Sequence, residues 1–383
     1  MSANASSSPP GPPPSRRFRK LYCVVFLLAC CATLEIGARL FVRDPSLKPE
    51  YFRLIEDFPR REAHLRSISQ AARLQYYDYH LFAPRPVAAE TITFTDYYSA
   101  RRVPVSDSPG HAEEMVWLFG GSTLQNSDAP DDLTLANVVA AKLKEAGISA
   151  CVRNFGVSTF QSSMELTKFA DLLRRVPPEE QPTLVVFYDG FNDSAHGYRS
   201  GAGNFQRDLS QKLEDLVARQ PGRLLVYLAS ESVAKHSVFW ERVIAWRINW
   251  RLFARPLADS SQPNRKQAVS IYLHNQRMLR AICREYAIHC LFVLQPMIFT
   301  KQPLHAQEQE ILDNTPGDLA KFTKEFYGTV LQSATNSNDF VDLSTVLNGS
   351  ADWDFYDVGH VGPNSNQRIG TALAEPVIKA LRK

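Results

Sequence analysis

Residues 114–122 read Glu-Met-Val-Trp-Leu-Phe-Gly-Gly-Ser, an apolar run that ends in two glycines and a serine. A short apolar run followed by turn residues predicts a buried β-strand. The next segment has the period of an amphipathic helix, with Asp131 or Asp132 as the expected cap and Gly147 at its end. The two segments predict one βα unit, with Ser122 at the turn where the strand ends.

The same alternation continues through the C-terminal part of the chain. Further strands are predicted at 148–152, 183–188, 290–294 and 340–343. Further helices are predicted at 162–175, 267–286, 319–331 and from about 363. Short apolar strands alternating with amphipathic helices indicate an α/β fold with a parallel sheet. Polar residues follow several of these strands, and the ligand sites of open α/β sheets lie at that edge.

Transfer or hydrolysis of an acyl group requires a nucleophile, a base to take its proton, and donors for the oxyanion. Ser122 is the candidate nucleophile, because a turn after two glycines lets its hydroxyl stand clear of the backbone. His360 is the candidate base, and Asp357, three residues earlier, can accept a hydrogen bond from its ring Nδ1. The Ser122 and Gly156 N–H groups and the Asn192 side chain are candidate oxyanion donors.

Each of these residues also has an ordinary structural explanation. Ser122 and Gly156 could be tight-turn residues, and Asn192 could form an Asx-turn. Asp352 and Asp354 are weaker candidates for the carboxylate that orients the base.

Four short blocks carry the candidate residues: Phe119-Gly120-Gly121-Ser122-Thr123, Asn154-Phe155-Gly156, Gly190-Phe191-Asn192-Asp193 and Asp357-Val358-Gly359-His360. In this order they resemble the four signature blocks of the SGNH (GDSL-like) hydrolase superfamily, over roughly residues 115–383. The resemblance implies a flavodoxin-like, three-layer α/β/α domain and esterase, lipase or O-acyltransferase activity, without a metal or other cofactor. One departure is Gly121, where the family usually has an aspartate that is not the triad acid.

Residues 194 to about 265 interrupt the alternation of strands and helices. Within this insertion, 238–252 has a helical period and carries Trp240, Trp246 and Trp250 interleaved with Arg242, Arg247 and Arg251. Such a segment suits a membrane interface or a lid over an acyl site. A helix simply packed on the domain is an equally open interpretation, because aromatic stripes are usually core.

The N-terminal region predicts a membrane location. Leu21–Val42 is almost entirely apolar, interrupted only by Glu35 and Arg39, an i,i+4 pair, and it follows a basic cluster. This pattern favours a single-pass signal-anchor, with the basic flank in the cytoplasm and the catalytic domain in the periplasm or at the cell surface. A lipoprotein box at 27–30 and a twin-arginine signal at 15–18 are imperfect alternatives.

We therefore divide the chain into a disordered basic N-terminus (1–20), a transmembrane signal-anchor (21–42), a stalk and N-terminal extension without sustained period (43–110), and a catalytic domain (111–383). An anchor followed by such a domain is similar to envelope-associated bacterial members of the superfamily. The expected substrate is an acyl ester, with a short acyl group such as acetyl, on an envelope carbohydrate or lipid.

The composition indicates which partners the chain is expected to bind and whether disulfides are expected. The 43 Lys and Arg against 40 Asp and Glu give a net charge of +3 without long single-sign blocks, so a nucleic-acid partner is not expected. Cys283 and Cys290 could form one disulfide in an exported domain, but buried thiols are the expected state.

Two rival functions remain open. A non-catalytic surface-binding protein could use the same fold, because one fold can host unrelated functions. A metal-dependent hydrolase could use Asp189, Asp193 and His196, although no paired-histidine motif accompanies them.

Overall fold

The structure is a computed structural model that describes residues 16–41, 58–71, 74–77, 81–200, 214–215, 217–234, 236–245, 263–334 and 337–382. The chain divides into two compact units. The larger unit comprises residues 47–213 and 256–383, and the smaller unit comprises residues 1–46 and 214–255.

The larger unit is built around a parallel sheet. The described strands are β1 Leu74–Tyr77, β2 Leu81–Pro84, β3 Val87–Ala88, β4 Thr93–Phe94, β5 Glu114–Gly120, β6 Ala150–Asn154, β7 Leu184–Asp189, β8 His289–Leu294 and β9 Phe340–Asp342. Strands β5 to β9 form one five-stranded parallel sheet in the order β6-β5-β7-β8-β9. This is the strand order of the flavodoxin-like doubly wound fold, which confirms the predicted α/β class.

The described α-helices are α1 Arg16–Phe41, α2 Phe58–Ala71, α3 Ser122–Gln125, α4 Leu135–Glu145, α5 Ser162–Arg175, α6 Phe191–Ser200, α7 Pro221–Ala234, α8 Arg265–Glu285, α9 Ala306–Asp313, α10 Gly317–Ala334 and α11 Pro363–Leu381. Short 3₁₀ turns lie at Asp131–Leu133, Pro178–Glu180 and Ile298–Thr300, and a π-helical turn lies at Trp240–Ala245. The predicted cap of α4 was wrong: Asp131 and Asp132 form a 3₁₀ turn, and the Thr134 side chain caps the helix by accepting from Asn137 N.

The two faces of the sheet bury different side chains. An aromatic row, Phe119, Phe187 and Phe292, runs across β5, β7 and β8 at paired positions, with successive ring centroids 5.5 Å apart. This row packs with residues of α5 and α8, whereas the aliphatic residues of the opposite face pack with α4 and α11. Helices therefore cover both faces, and the carboxyl ends of the strands remain open for a site.

The segment predicted as an irregular stalk contains regular structure. Helix α2 and the antiparallel pairs β1–β2 and β3–β4 lie in it, while residues 42–57 fall outside the described residues. Helix α2 buries Ala63, His64, Ser67 and Ala71, which are small or polar. Because its buried face carries almost no hydrophobic signal, the sequence did not indicate a helix there.

The cysteine prediction was also wrong. Cys283, at the end of α8, and Cys290, in β8, form a disulfide with their Cα atoms 6.3 Å apart. The intervening turn places Ala287 in the left-handed region, at φ 54°, and the Ile288 N–H donates to Cys283 O. This turn folds the chain back and brings the two cysteines together.

The smaller unit contains α1, α7 and the helical segment 238–245. Within α1, Leu21–Phe41 has a mean hydropathy of 2.1 and is long and apolar enough to cross a membrane, a property that a signal sequence shares. Helix α1 already begins at Arg16, so residues 16–20 are helical, and residues 1–15 lie outside the described residues. The predicted helix 238–252 is described only as far as Ala245, so Trp246, Trp250 and their neighbouring arginines also lie outside.

Candidate active site

Ser122 stands at the carboxyl end of the sheet, where β5 ends at Gly120 and α3 begins. Gly121 caps α3, and a Cβ built on this glycine would lie only 2.2 Å from Asn192 Nδ2. The space that a side chain at position 121 would need is therefore taken by the Asn192 amide.

Ser122, His360 and Asp357 form a hydrogen-bonded chain. The Ser122 hydroxyl lies 2.7 Å from His360 Nε2, and His360 Nδ1 lies 2.8 Å from Asp357 Oδ2. The other carboxylate oxygen, Asp357 Oδ1, accepts the backbone N–H groups of Gly359 at 2.9 Å and His360 at 2.8 Å. The carboxylate thus fixes both the loop and the imidazole ring, and suits the tautomer that leaves Nε2 free to accept the serine proton.

The electrostatics of this loop keep Asp357 charged. Burial acts to raise its pKa, but the charge of His360 and the hydrogen bonds from the His360 ring and two backbone N–H groups outweigh burial. The pKa of Asp357 is lowered to about 2 as a result. The carboxylate is therefore ionised at any pH where an imidazole base is neutral.

The three candidate oxyanion donors differ in their present partners. Asn192 Nδ2 donates to Phe160 O at 2.7 Å, which leaves its second amide hydrogen for another acceptor. None of the described residues accepts a hydrogen bond from the Ser122 N–H, the first of α3. The Gly156 N–H, in contrast, donates to Asn154 Oδ1 at 2.9 Å.

Gly156 has a clear packing role in this structure. A Cβ at this position would lie 2.6 Å from the backbone nitrogen of Gln125, at the end of α3. The glycine therefore allows the second block to approach the nucleophile helix closely, and Asn154 Nδ2 completes the contact by donating to Leu124 O at 2.9 Å.

A buried ion-pair network holds the chain before the Asp357–His360 loop. Lys301 Nζ lies 2.7 Å from Glu308 and 2.9 Å from Asp354, and all three side chains are almost fully buried. Glu308 Oε1 also accepts the backbone N–H groups of Asp354 and Phe355. Asp354, a weaker candidate for the triad acid, therefore belongs to this structural network and pairs with Arg368.

Arg101 supports the site, although no motif in the sequence singles it out. Its guanidinium is buried and donates to Gln125 O at 2.9 Å, Asn126 O at 2.8 Å and Ala129 O at 2.7 Å, while its Nε pairs with Asp131 at 2.8 Å. These carbonyls belong to the last residue of the nucleophile helix and to the turn that follows it. Arg101 therefore fixes the position of α3 from the N-terminal extension.

We expect Arg101→Met to lower the free energy of unfolding by about 3–5 kcal/mol, because it leaves the Asp131 carboxylate without its buried partner. The neighbouring Arg102→Met is the matched control, since Arg102 is exposed and its loss should change stability by less than about 0.5 kcal/mol. Urea unfolding of both variants measures the difference. Equal stabilities would show that the Arg101 interactions contribute nothing net to the fold.

The alternative metal ligands are placed differently from what a metal site needs. Across the residues that the structure describes, no group of three His, Cys, Asp or Glu side chains is arranged to hold a metal ion. The Asp193 side chain instead accepts from the hydroxyl and N–H of Ser162 at the start of α5. Burial, followed by the charge of Asp193, raises the pKa of Asp189. Both carboxyl groups are buried.

Solved structures resemble this chain at low sequence identity. No protein-family model matches the chain, and no curated protein matches it in sequence. The acetylxylan esterase Axe2 from Geobacillus stearothermophilus is 12% identical, with a TM-score of 0.39 over 70% of this chain and 95% of that one. A protein assigned to the lipolytic G-D-S-L family, from Desulfitobacterium hafniense, is 9% identical, with a TM-score of 0.37 over 69% and 99% of the two chains.

A third similar structure, a protein assigned as an acylhydrolase from Bacteroides fragilis, is 13% identical, with a TM-score of 0.35 over 73% of this chain and 93% of that one. The strand order is flavodoxin-like, and the blocks bearing Ser122, Gly156, Asn192 and His360 meet at one edge of the sheet. The chain thus has a flavodoxin-like α/β fold, and the four blocks that resemble the signature blocks of the SGNH (GDSL-like) hydrolase superfamily lie together at one edge of its sheet.

Proposed function

We propose that this protein is a serine-dependent hydrolase of O-acyl esters, anchored in a membrane by α1. The observation that carries the proposal is the continuous hydrogen-bonded chain from Ser122 Oγ through both nitrogens of His360 to Asp357. We assign Ser122 as nucleophile, His360 as general base and Asp357 as the carboxylate that orients the base.

In the first step, Ser122 Oγ attacks the carbonyl carbon of the ester while His360 Nε2 takes the serine proton. The Ser122 N–H and the Asn192 amide stabilise the oxyanion, and the backbone N–H of Gly156 joins them once it leaves Asn154 Oδ1. The tetrahedral intermediate then collapses, and His360 returns its proton to the departing alcohol. An acyl-serine remains.

In the second step, His360 takes a proton from water as the water attacks the acyl-serine carbonyl. The second tetrahedral intermediate collapses, His360 returns the proton to the departing Ser122 Oγ, and the carboxylic acid is released. A sugar hydroxyl could take the place of this water, and the reaction would then be O-acyl transfer. We propose a short acyl group such as acetyl, carried by an envelope carbohydrate or lipid. The Cys283–Cys290 disulfide supports a catalytic unit outside the cytoplasm, because disulfides persist in oxidising compartments.

The test is a series of p-nitrophenyl esters with acetyl, butyryl, octanoyl and lauroyl groups, given to the detergent-solubilised full chain. We expect turnover of the acetyl ester and a decline as the acyl chain lengthens. Adding an unacylated oligosaccharide and searching for its acylated form by mass spectrometry separates transfer from hydrolysis. If no ester is cleaved and a sulfonyl fluoride does not label Ser122, the chain is a non-catalytic binding protein.

Asn192→Ala is expected to lower kcat by roughly 10²–10³, because it removes an oxyanion donor that acts mainly in the transition state. KM should change little. Asn192→Asp is a matched control: it keeps the size of the side chain but places a negative charge beside the oxyanion, so its kcat should be at least as low. Unchanged kcat in both variants would leave Asn192 only its structural bond to Phe160 O.

A further inference from the structure

We propose that α7 and the helical segment 238–245 form a second membrane-contacting element, a helical hairpin whose exposed apolar face on α7 lies in the outer leaflet of the same bilayer that α1 crosses. The inference rests on the proposed anchor role of α1 and goes beyond it, because it assigns a surface and a partner to the insertion. The occupant of this surface is the lipid acyl region.

Helix α7 exposes the kind of side chain that soluble helices bury. Leu225 is 70% exposed, Val226 54%, Leu228 55% and Val233 43%, and they lie around the outer side of the helix. No charged residue lies between Arg223 and Glu231. The inner side is closed by Ser230, which is 2% exposed and accepts the indole N–H of Trp240 at 3.0 Å. Helix α7 thus exposes apolar side chains and turns its polar contact inward, as expected of a helix that lies against lipid.

Glu35 of α1 connects the hairpin to the anchor. Its carboxylate accepts from the Ser237 hydroxyl at 2.8 Å, Val238 N at 3.0 Å and Phe239 N at 3.1 Å. The N–H groups of Val238 and Phe239 lie at the start of the helical segment 238–245, where no carbonyl of the same helix can accept from them. Glu35 therefore caps that segment from another helix. Arg39, one turn later, donates to the same carboxylate at 2.8 Å. These bonds compensate the cost of placing an acidic residue in an apolar helix.

The position of Glu35 sets the depth of the hairpin. At a rise of about 1.5 Å per residue, Glu35 lies roughly 9 Å before the end of α1 at Phe41, within the outer half of a bilayer. Helix α7 has 14 residues and a length of about 21 Å, too short to cross a hydrocarbon core of about 30 Å. The hairpin is therefore suited to lie in one leaflet. Arg219, largely exposed, and Arg223 precede the apolar run and can reach lipid phosphates.

The test places a diazirine-bearing amino acid at one position of the full chain, reconstituted in vesicles of phosphatidylethanolamine and phosphatidylglycerol. Leu225 is the test position, Ile36 of α1 is the lipid-facing reference, and Met278 of α8, exposed to the same degree as Val233, is the aqueous reference. We expect lipid adducts at positions 225 and 36 and none at 278. The inference is overturned, and the anchor is left intact, if position 36 forms lipid adducts while position 225 forms none. The same holds if the probe at position 225 crosslinks to protein instead of lipid. Absence of adducts at 36 overturns the anchor and the inference together.

A second measurement tests the connection through Glu35. Glu35→Ala should lower lipid labelling at position 225 by roughly fivefold, as expected for the loss of a helix cap, while labelling at 36 stays the same. Thr33→Ala is the matched control, because the Thr33 hydroxyl donates to Ala29 O of its own helix. Equal labelling at 225 in both variants overturns the role of Glu35. Esterase activity is measured in parallel, so that failure of the proposed chemistry is seen separately.

Discussion

Replacing Ser122 with alanine is expected to lower kcat for ester cleavage by roughly 10⁶, the loss typical of removing a nucleophile that acts as one unit with its base. The fold should be unaffected, because the Ser122 side chain is partly exposed and its hydroxyl bonds to His360 alone among the described residues. The loss of that one bond costs about 1 kcal/mol. Initial rates with the acetyl ester and a thermal unfolding curve measure the two quantities.

The matched experiment is the double variant Ser122→Ala, His360→Ala. If the two residues form one catalytic unit, the double variant is barely slower than either single variant, because the second change removes nothing that still functions. Multiplying losses would mean that the residues act separately. Substitutions of Asp189 and His196 that are more damaging than these would return the metal-dependent alternative to consideration.

Asp357→Asn is expected to lower kcat by about 10⁴ while keeping the shape of the loop. The amide cannot hold the ring in the tautomer that leaves Nε2 free, and it cannot stabilise the imidazolium that forms during attack. Asp352→Asn is the control, because Asp352 bonds to Ser350 rather than to His360. A loss at Asp352 equal to that at Asp357 would place the orienting carboxylate elsewhere in the loop.

The pH dependence of the wild-type enzyme distinguishes the roles of Asp357 and His360. Because the pKa of Asp357 is lowered to about 2, this carboxylate stays ionised above about pH 3 and adds no ionisation near neutrality. Activity should therefore rise with pH through one ionisation, in the range where imidazole groups lose their proton. A kcat/KM profile from pH 4 to pH 9 tests this. Two ascending ionisations would show that a second titrating group is essential.

The sequence by itself determined the fold class and the identity of the candidate residues. Apolar periodicity reports which side chains are buried along one element, and the elements of the sheet have strong periods: the predicted helix 162–175 coincides with α5, and the strands agree within two residues. The four blocks can be identified in the sequence because the catalytic chemistry requires particular residue types at fixed, short spacings. Ser122, Gly156 and Asn192 are therefore candidates on sequence alone.

Only the tertiary structure decided which distant residues support the site. Arg101 holds the turn after α3, and Lys301 joins Glu308 to Asp354, yet none of these charged residues lies in a recognisable motif. The Cys283–Cys290 disulfide depends on a turn at Ala287, and Glu35 meets Ser237 although 202 residues separate them. Local patterns record burial and propensity within one element, whereas these interactions depend on how elements pack in space. A buried charge leaves no periodic signal, because its partner lies elsewhere in the chain.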